Sequence, residues 1–222
     1  MLKRENAEMK INARYYPKLE EKINVITHAI GLLMSVSALT LLVVFASMKG
    51  TVWHIVSFSV YGASLVILYF ASTVFHLSEN QKTRNHLNVF DHAAIFLLIA
   101  GTYTPFALVT LHGPWGWTIF GIVWGLAVAG IVLKLFYTGR YNLLSTIIYV
   151  VMGWIIVIAL KPLVEALPFD GLMWLLAGGI SYSVGAVFFL WDKMPYNHAI
   201  FHVFVVAGSA CHFVAVFWYV LP

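Results

Sequence analysis

Seven apolar runs, each near the length needed to cross a bilayer, dominate this sequence. They cover about 24–47, 53–77, 88–110, 115–134, 142–160, 171–191 and 198–221. A spanning helix needs roughly 20 apolar residues, because each residue rises about 1.5 Å through some 30 Å of hydrocarbon. The runs do not alternate polar with apolar, which argues against a transmembrane β-barrel. Composition agrees. Of 222 residues, 61% are hydrophobic and only 10% are Asp, Glu, Lys or Arg, against about 25% charged in an ordinary soluble domain. So few charges cannot cover a soluble surface. The single cysteine, Cys211, excludes a disulfide scaffold. The prediction is an all-α membrane protein, a seven-transmembrane-helix bundle with short connections. Residues 1–22 form a juxtamembrane segment and residues 23–222 the transmembrane domain.

No small-residue cleavage site follows the first apolar run, which reads as a retained signal-anchor helix. The segment before it reads either as a helix lying on an anionic leaflet, with Tyr15 and Tyr16 at the interface, or as a partly disordered tail. Lys and Arg set the orientation. Lys3, Arg4, Lys10, Arg14, Lys18 and Lys22 precede span 1, and Lys82, Arg84, Lys134, Arg140 and Lys193 fall on the same side. Those eleven face only Lys49 and Lys161 on the other side. The N-terminus is therefore expected in the cytoplasm and the C-terminus outside. No internal repeat points to inverted transporter halves.

Ionisable residues inside spans are costly and are functional candidates by default. Asp91 is the one acid within the runs, and the histidines carry most of the remaining information. His28 opens span 1, His76 closes span 2, Asp91 and His92 open span 3, and His198 and His202 open span 7. With the predicted orientation, four separate parts of the chain deliver His or Asp to one depth at the cytoplasmic face. His198 and His202 are one helical turn apart, so both imidazoles leave one face, as when a helix gives two ligands to zinc. Ser72 and His76 have the same spacing. A third histidine from another helix would complete three nitrogen ligands and leave a position open for water, the catalytic arrangement. Asp91 would then hydrogen-bond that water and take its proton, and Ser72 would add a hydrogen bond nearby.

Plainer readings exist for each residue. The histidines could hydrogen-bond between helices without a metal, and Asp91 could be the N-cap of span 3. His54, His86 and His112 read as solvated residues of loops or span ends. His212 lies about 15 Å beyond His202 by helical rise, and reads as a hydrogen-bonded packing residue. His28 and His92 read either as groups supporting the ligands or as packing. Pro105 should kink span 3, with Thr102 and Thr104 satisfying freed carbonyls. Gly178, Gly179, Ser181, Ser183 and Gly185 suggest close helix contact along span 6, and Trp115 and Trp117 mark an interface.

Taken together, Glu21-x-x-Asn24-x-x-Thr27-His28-x-x-Gly31, Ser72-x-x-x-His76, Asp91 before Gly101-Thr102-Tyr103-Thr104-Pro105-Phe106, and Asn197-His198-x-x-x-His202 with Gly208-Ser209-x-x-His212 resemble the hemolysin III family. This is the bacterial branch of the progestin and adipoQ receptor (PAQR) family. The resemblance covers the chain from Glu21 onward. It implies seven helices with a cytoplasmic N-terminus. It also implies zinc held by His76, His198 and His202, as in the adiponectin receptors, with Ser72 and Asp91 matching the Ser and Asp beside that zinc. Those receptors are associated with ceramidase-type hydrolysis. Bacterial members are named for haemolytic activity, and some resemble regulators of membrane fluidity or energy state. The long N-terminal region of the adiponectin receptors has no counterpart here, so hormone binding is not implied.

The expected function is that of a zinc-dependent hydrolase in a bacterial inner membrane, acting on an amide- or ester-linked membrane lipid that enters sideways. Zn2+ would polarise the carbonyl and Asp91 would serve as base. One alternative is a non-enzymatic sensor or regulator with a structural zinc. A lytic pore is disfavoured because no span carries a regular polar stripe, and a transporter built around Asp91 ranks lower still. No nucleic-acid partner is expected, and the sequence does not set the oligomeric state.

Overall fold

The computed structural model describes residues 13–222. It contains seven helices long and apolar enough to cross a membrane: α1 Lys18–Lys49, α2 Val52–Leu77, α3 Gln81–Leu111, α4 Gly113–Tyr137, α5 Asn142–Ala166, α6 Phe169–Leu190 and α7 Asn197–Tyr219. No strand occurs among the described residues. The surface-helix reading of the N-terminal segment lies partly outside the described residues. Where it is described, residues 13–17 form no helix, and α1 already begins at Lys18.

Two helices start well before their apolar runs. α1 adds Glu20 and Glu21, and α3 adds Arg84. These positions do not hang in solvent. Glu20, Asn24, Arg84 and Asn88 are all buried. Polar groups survive burial when paired, and Arg84 bonds the carbonyls of Arg14, Phe75 and Ser78 as well as the Glu21 carboxylate. Two of the eleven topology-setting cations, Arg84 and Lys134, are therefore interior groups.

Asn80 caps α3 by accepting from the Lys82 and Thr83 amides at 3.0 and 3.1 Å. This corrects the N-cap reading of Asp91, which lies well inside the helix, beyond its second turn. His54 is corrected too. It is buried, with Nδ1 accepting from the Thr51 amide at 3.1 Å and Nε2 lying 3.2 Å from the Val220 carbonyl. His86 and His112 are exposed, as expected.

The helices pack around two apolar clusters. Leu42 of α1, Leu65 and Leu68 of α2, and Val205 and Val216 of α7 share the first. Phe96 and Ala100 of α3, Ile119 and Val123 of α4, and Met152 of α5 share the second. α6 lies against α7 through small residues, as expected. A Cβ on Gly178 would meet the His212 ring at 2.3 Å, and one on Gly208 would meet the Tyr182 ring at 2.6 Å.

Beyond Pro105, α3 finishes as π-helix over Phe106–Leu111. Pro105 frees the carbonyl four residues back, that of Gly101. Thr102 and Thr104 instead bond the carbonyls of Leu98 and Ala100, both at 2.8 Å, so the threonines do not satisfy the carbonyl that Pro105 frees. α5 is also broken, with a 3-10 turn at Ile155–Ala159. Tyr103 bridges that break. Its hydroxyl donates to the Gly153 carbonyl at 2.7 Å and accepts from the Ile156 amide at 3.0 Å.

Candidate metal centre

One end of the bundle, where α1 begins, gathers the polar residues. His76 arrives in the last turn of α2, and His198 and His202 occupy the first two turns of α7. All three are buried. His198 Nε2 lies 3.2 Å from His76 Nε2 and 3.0 Å from His202 Nε2. One ligand atom from each residue lies within 4.8 Å of the others, a spacing that could hold a metal ion.

The other ring nitrogens decide what the three Nε2 atoms can be. His76 Nδ1 lies 2.7 Å from Glu21 Oε2, a carboxylate that can only accept. His202 Nδ1 lies 3.3 Å from the Asn24 carbonyl, also only an acceptor. These partners assign the proton to Nδ1. His198 Nδ1 lies 2.9 Å from the Tyr16 hydroxyl. Burial pushes that phenol above its usual range, so it stays neutral, and a neutral phenol can accept from an Nδ1–H or donate to a bare Nδ1. With Nδ1 protonated on all three rings, as when Tyr16 accepts from His198, each Nε2 presents a bare lone pair toward the other two. Such a trio is repulsive by itself and is satisfied by a cation. Tetrahedral zinc with Zn–N of about 2.0–2.1 Å sets neighbouring nitrogens roughly 3.3–3.4 Å apart, close to the spacing found. Three imidazoles without thiolate suit zinc among several borderline divalent ions.

The supporting groups all come from one stretch of chain. Tyr16, Glu21 and Asn24 each hold one histidine of the trio, and the Tyr16 ring stacks on His198 at 4.4 Å. Glu21 is held in turn by the Tyr16 amide at 3.0 Å and by Arg84. Glu20 Oε1 accepts from the His198 amide at 3.3 Å. The preceding residues are tied across the same end: Arg14 pairs with Asp192 at 2.5 Å, and the Tyr15 hydroxyl donates to the Glu79 carbonyl at 2.8 Å. Sequence reasoning does not assign Tyr16, Glu20, Glu21 or Arg84 to the centre. The available signal for Glu21 is its spacing with Asn24 and His28, which places all three on one helical face.

Two cavities lie beside the centre. The larger, about 150 Å³, runs between α2, α3, α5, α6 and α7 and is lined at the metal end by His28, Ser72, Asp91, His198 and His202. At its far end lies His212, ten residues along α7 from His202, or about 15 Å of helix. His212 bonds the Gly208 carbonyl at 2.7 Å and stacks on Tyr182, as a packing residue should. The smaller cavity, about 100 Å³, is lined by Arg14, Tyr16, Asn88, Asp91, Asp192 and His198 among others. Asp91, His92 and His198 line both cavities, so Asp91 lies between an apolar space and a polar one. His92 bonds the Asn88 carbonyl at 2.9 Å. His28 stacks on His202 with ring centres 3.5 Å apart.

The chain matches the family model described as Haemolysin-III related over residues 16–213. It is 52% identical to Hemolysin-3 of Bacillus cereus, over 91% of this chain and 93% of that protein. It is 50% identical to the Hemolysin-3 homolog of Bacillus subtilis, over 90% and 94%. It is also 29% identical to the human monocyte to macrophage differentiation factor, over 94% and 88%. With a family match across nearly the whole bundle, and the histidine trio inside it, the chain belongs to the haemolysin III-related family.

Proposed function

We propose that this protein is a zinc-dependent hydrolase of an amide- or ester-linked lipid, set in a bacterial inner membrane with the metal centre at the cytoplasmic face. The observation that carries the reading is the place of Asp91 on the walls of both cavities. One offers apolar walls for an acyl chain, and the other offers a polar path for water and a hydrophilic product. α5 makes few contacts with its neighbours beside the larger cavity, which favours lipid entry along that side. Zinc, when bound by His76, His198 and His202, supplies Lewis-acid polarisation of a carbonyl and water of lowered pKa. Asp91 accepts the proton of the attacking water and returns it to the leaving group. Ser72 offers a hydroxyl on the same cavity wall for hydrogen bonding to the substrate oxygen. Glu21 and the Asn24 carbonyl keep His76 and His202 in the tautomer that leaves Nε2 free, and the Tyr16 hydroxyl is placed to accept the Nδ1 proton of His198.

The test uses purified protein in detergent with a fluorogenic long-chain N-acyl amide. About one zinc per chain is expected, and the double variant His198→Ala/His202→Ala should lose it. Asp91→Asn should keep the zinc and lose turnover. Zinc retained in the double variant refutes the metal assignment, and full turnover in Asp91→Asn refutes the assigned base. A second reading is a regulator in which zinc only fastens α2 to α7. It is favoured by the bridging of those helices by the trio, and under it Asp91→Asn leaves the cellular phenotype intact.

A further inference from the structure

At the far end of the larger cavity, Thr102, Tyr103, Trp154, Tyr182, Ser183 and His212 bring polar atoms to an otherwise apolar wall. Buried polar atoms are normally paired, and here the pairs can be traced one by one. Thr102 donates to the Leu98 carbonyl at 2.8 Å. The Tyr103 hydroxyl is taken up by the break in α5. The Trp154 indole donates to Ser183 at 3.0 Å, and Ser183 donates to the Gly179 carbonyl at 2.8 Å. The Tyr182 hydroxyl lies 2.8 Å from that of Ser209.

His212 is different, because packing accounts for only one of its nitrogens. Nδ1 lies 2.7 Å from the Gly208 carbonyl, which can only accept, so the proton sits on Nδ1. No carboxylate pairs with this ring among the described residues, and a second proton on Nε2 would leave a buried charge without a partner. Nε2 is therefore a bare acceptor. Nor is it sealed off. Among the described residues, the buried polar side-chain atoms that are both unpaired and without accessible surface belong to Asn24, His28 and Thr110, whereas His212 lines the cavity. The residue is only 6% exposed, and its ring is held in place. Tyr182 stacks on it at 5.2 Å with a tilt of 13°.

The distance along α7 turns this acceptor into a ruler. His212 stands about 15 Å of helix from His202. A staggered hydrocarbon chain of single bonds near 1.5 Å advances about 1.25 Å per carbon, so about 12 carbons cover that length. We propose that His212 Nε2 is an acceptor subsite for a hydroxyl carried on an acyl chain about 12 carbons from its carbonyl. The larger cavity then selects chains hydroxylated at that depth over plain ones. This rests on the reading of the larger cavity as a lipid site, and it requires neither zinc nor hydrolysis.

The test is binding to the purified protein in detergent, by displacement of a fluorescent fatty-acid analogue. The probes are methyl octadecanoate, its 12-hydroxy derivative and its 6-hydroxy derivative. The parent protein should bind the 12-hydroxy ester about tenfold more tightly than the plain one, the worth of one well-made hydrogen bond to a buried acceptor. The 6-hydroxy ester should bind no more tightly than the plain one, because its hydroxyl falls between the two ends, where Leu68, Leu98 and Val205 line the wall. His212→Phe keeps a ring against Tyr182 and removes Nε2. It should bring the 12-hydroxy preference to within about twofold and leave the affinity for the plain ester unchanged. If His212→Phe does not fold, the dependence on hydroxyl position in the parent decides. A parent indifferent to the hydroxyl, an equal gain at both positions, or a preference that survives in His212→Phe overturns the subsite. Failure of all three esters to displace the analogue defeats the lipid reading of the cavity and the subsite with it. A preference without any hydrolysis defeats the hydrolase reading and leaves the subsite standing.

Discussion

Replacing Glu21 by Gln tests whether the carboxylate sets the tautomer of a metal ligand. Glu21 serves three donors: His76 Nδ1 at 2.7 Å on Oε2, and the Tyr16 amide at 3.0 Å together with Arg84 on Oε1. Glutamine has nearly the same shape but offers only one acceptor oxygen. With its NH2 toward His76, the imidazole must move its proton to Nε2 and ceases to be a ligand. With its NH2 toward Tyr16 and Arg84, two donors face a third. Loss of such a support typically weakens metal binding 10–100-fold, or about 1.4–2.7 kcal/mol. Breaking a buried ion pair by neutralising one partner costs about 3–5 kcal/mol. The lower end applies, because Arg84 keeps the carbonyls of Arg14, Phe75 and Ser78. The assay is competitive zinc titration against a chromophoric chelator, with thermal unfolding in parallel. A Glu21→Gln protein that binds zinc as tightly as the parent refutes the tautomer argument.

Two further outcomes follow from the packing. Tyr16→Phe keeps the ring on His198 but removes the hydroxyl that faces Nδ1; zinc affinity in the same titration should fall by about tenfold, with the fold intact by circular dichroism. Gly178→Ala places a methyl against the His212 ring and should lower stability by about 1–3 kcal/mol, read from thermal unfolding of the detergent-solubilised protein, while zinc content stays unchanged because His212 lies far from the trio.

The seven helices are legible because a bilayer demands long apolar runs, and such runs are visible in any window of sequence. The gathering of His28, His76, Asp91, His198 and His202 at one end is legible for a related reason, since few ionisable groups enter the spans and most of them share that depth, whereas the choice of His76 as the third ligand rests on the family resemblance. The fate of charges near helix ends is concealed. Arg84 and Lys134 look like topology signals, yet both are buried. Glu21 looks like one of a run of surface acids. Only tertiary packing reveals that Glu21, Arg84 and Tyr16 face one another, since no local period links residues from α1, α3 and the segment before α1. Asp91 passes for a helix cap for a related reason, because a polar first stretch of α3 hides where the helix begins.

The support for the histidine trio comes from residues 16–24, and the physical setting explains why it takes this form. A ligand imidazole must place its second N–H on an acceptor, since a buried donor left unpaired is costly. Donors in α2 and α7 therefore need acceptors brought from elsewhere in the chain, and α1 with its preceding turn brings them: a phenol, a carboxylate and a carbonyl. Arg14, Tyr15 and Ala13 fasten that turn to Asp192, Glu79 and Asn85. The segment leading into α1 is thus a structural part of the centre. Under the proposed metal site, its seating and the capture of a metal are linked equilibria, since each favours the arrangement that the other requires.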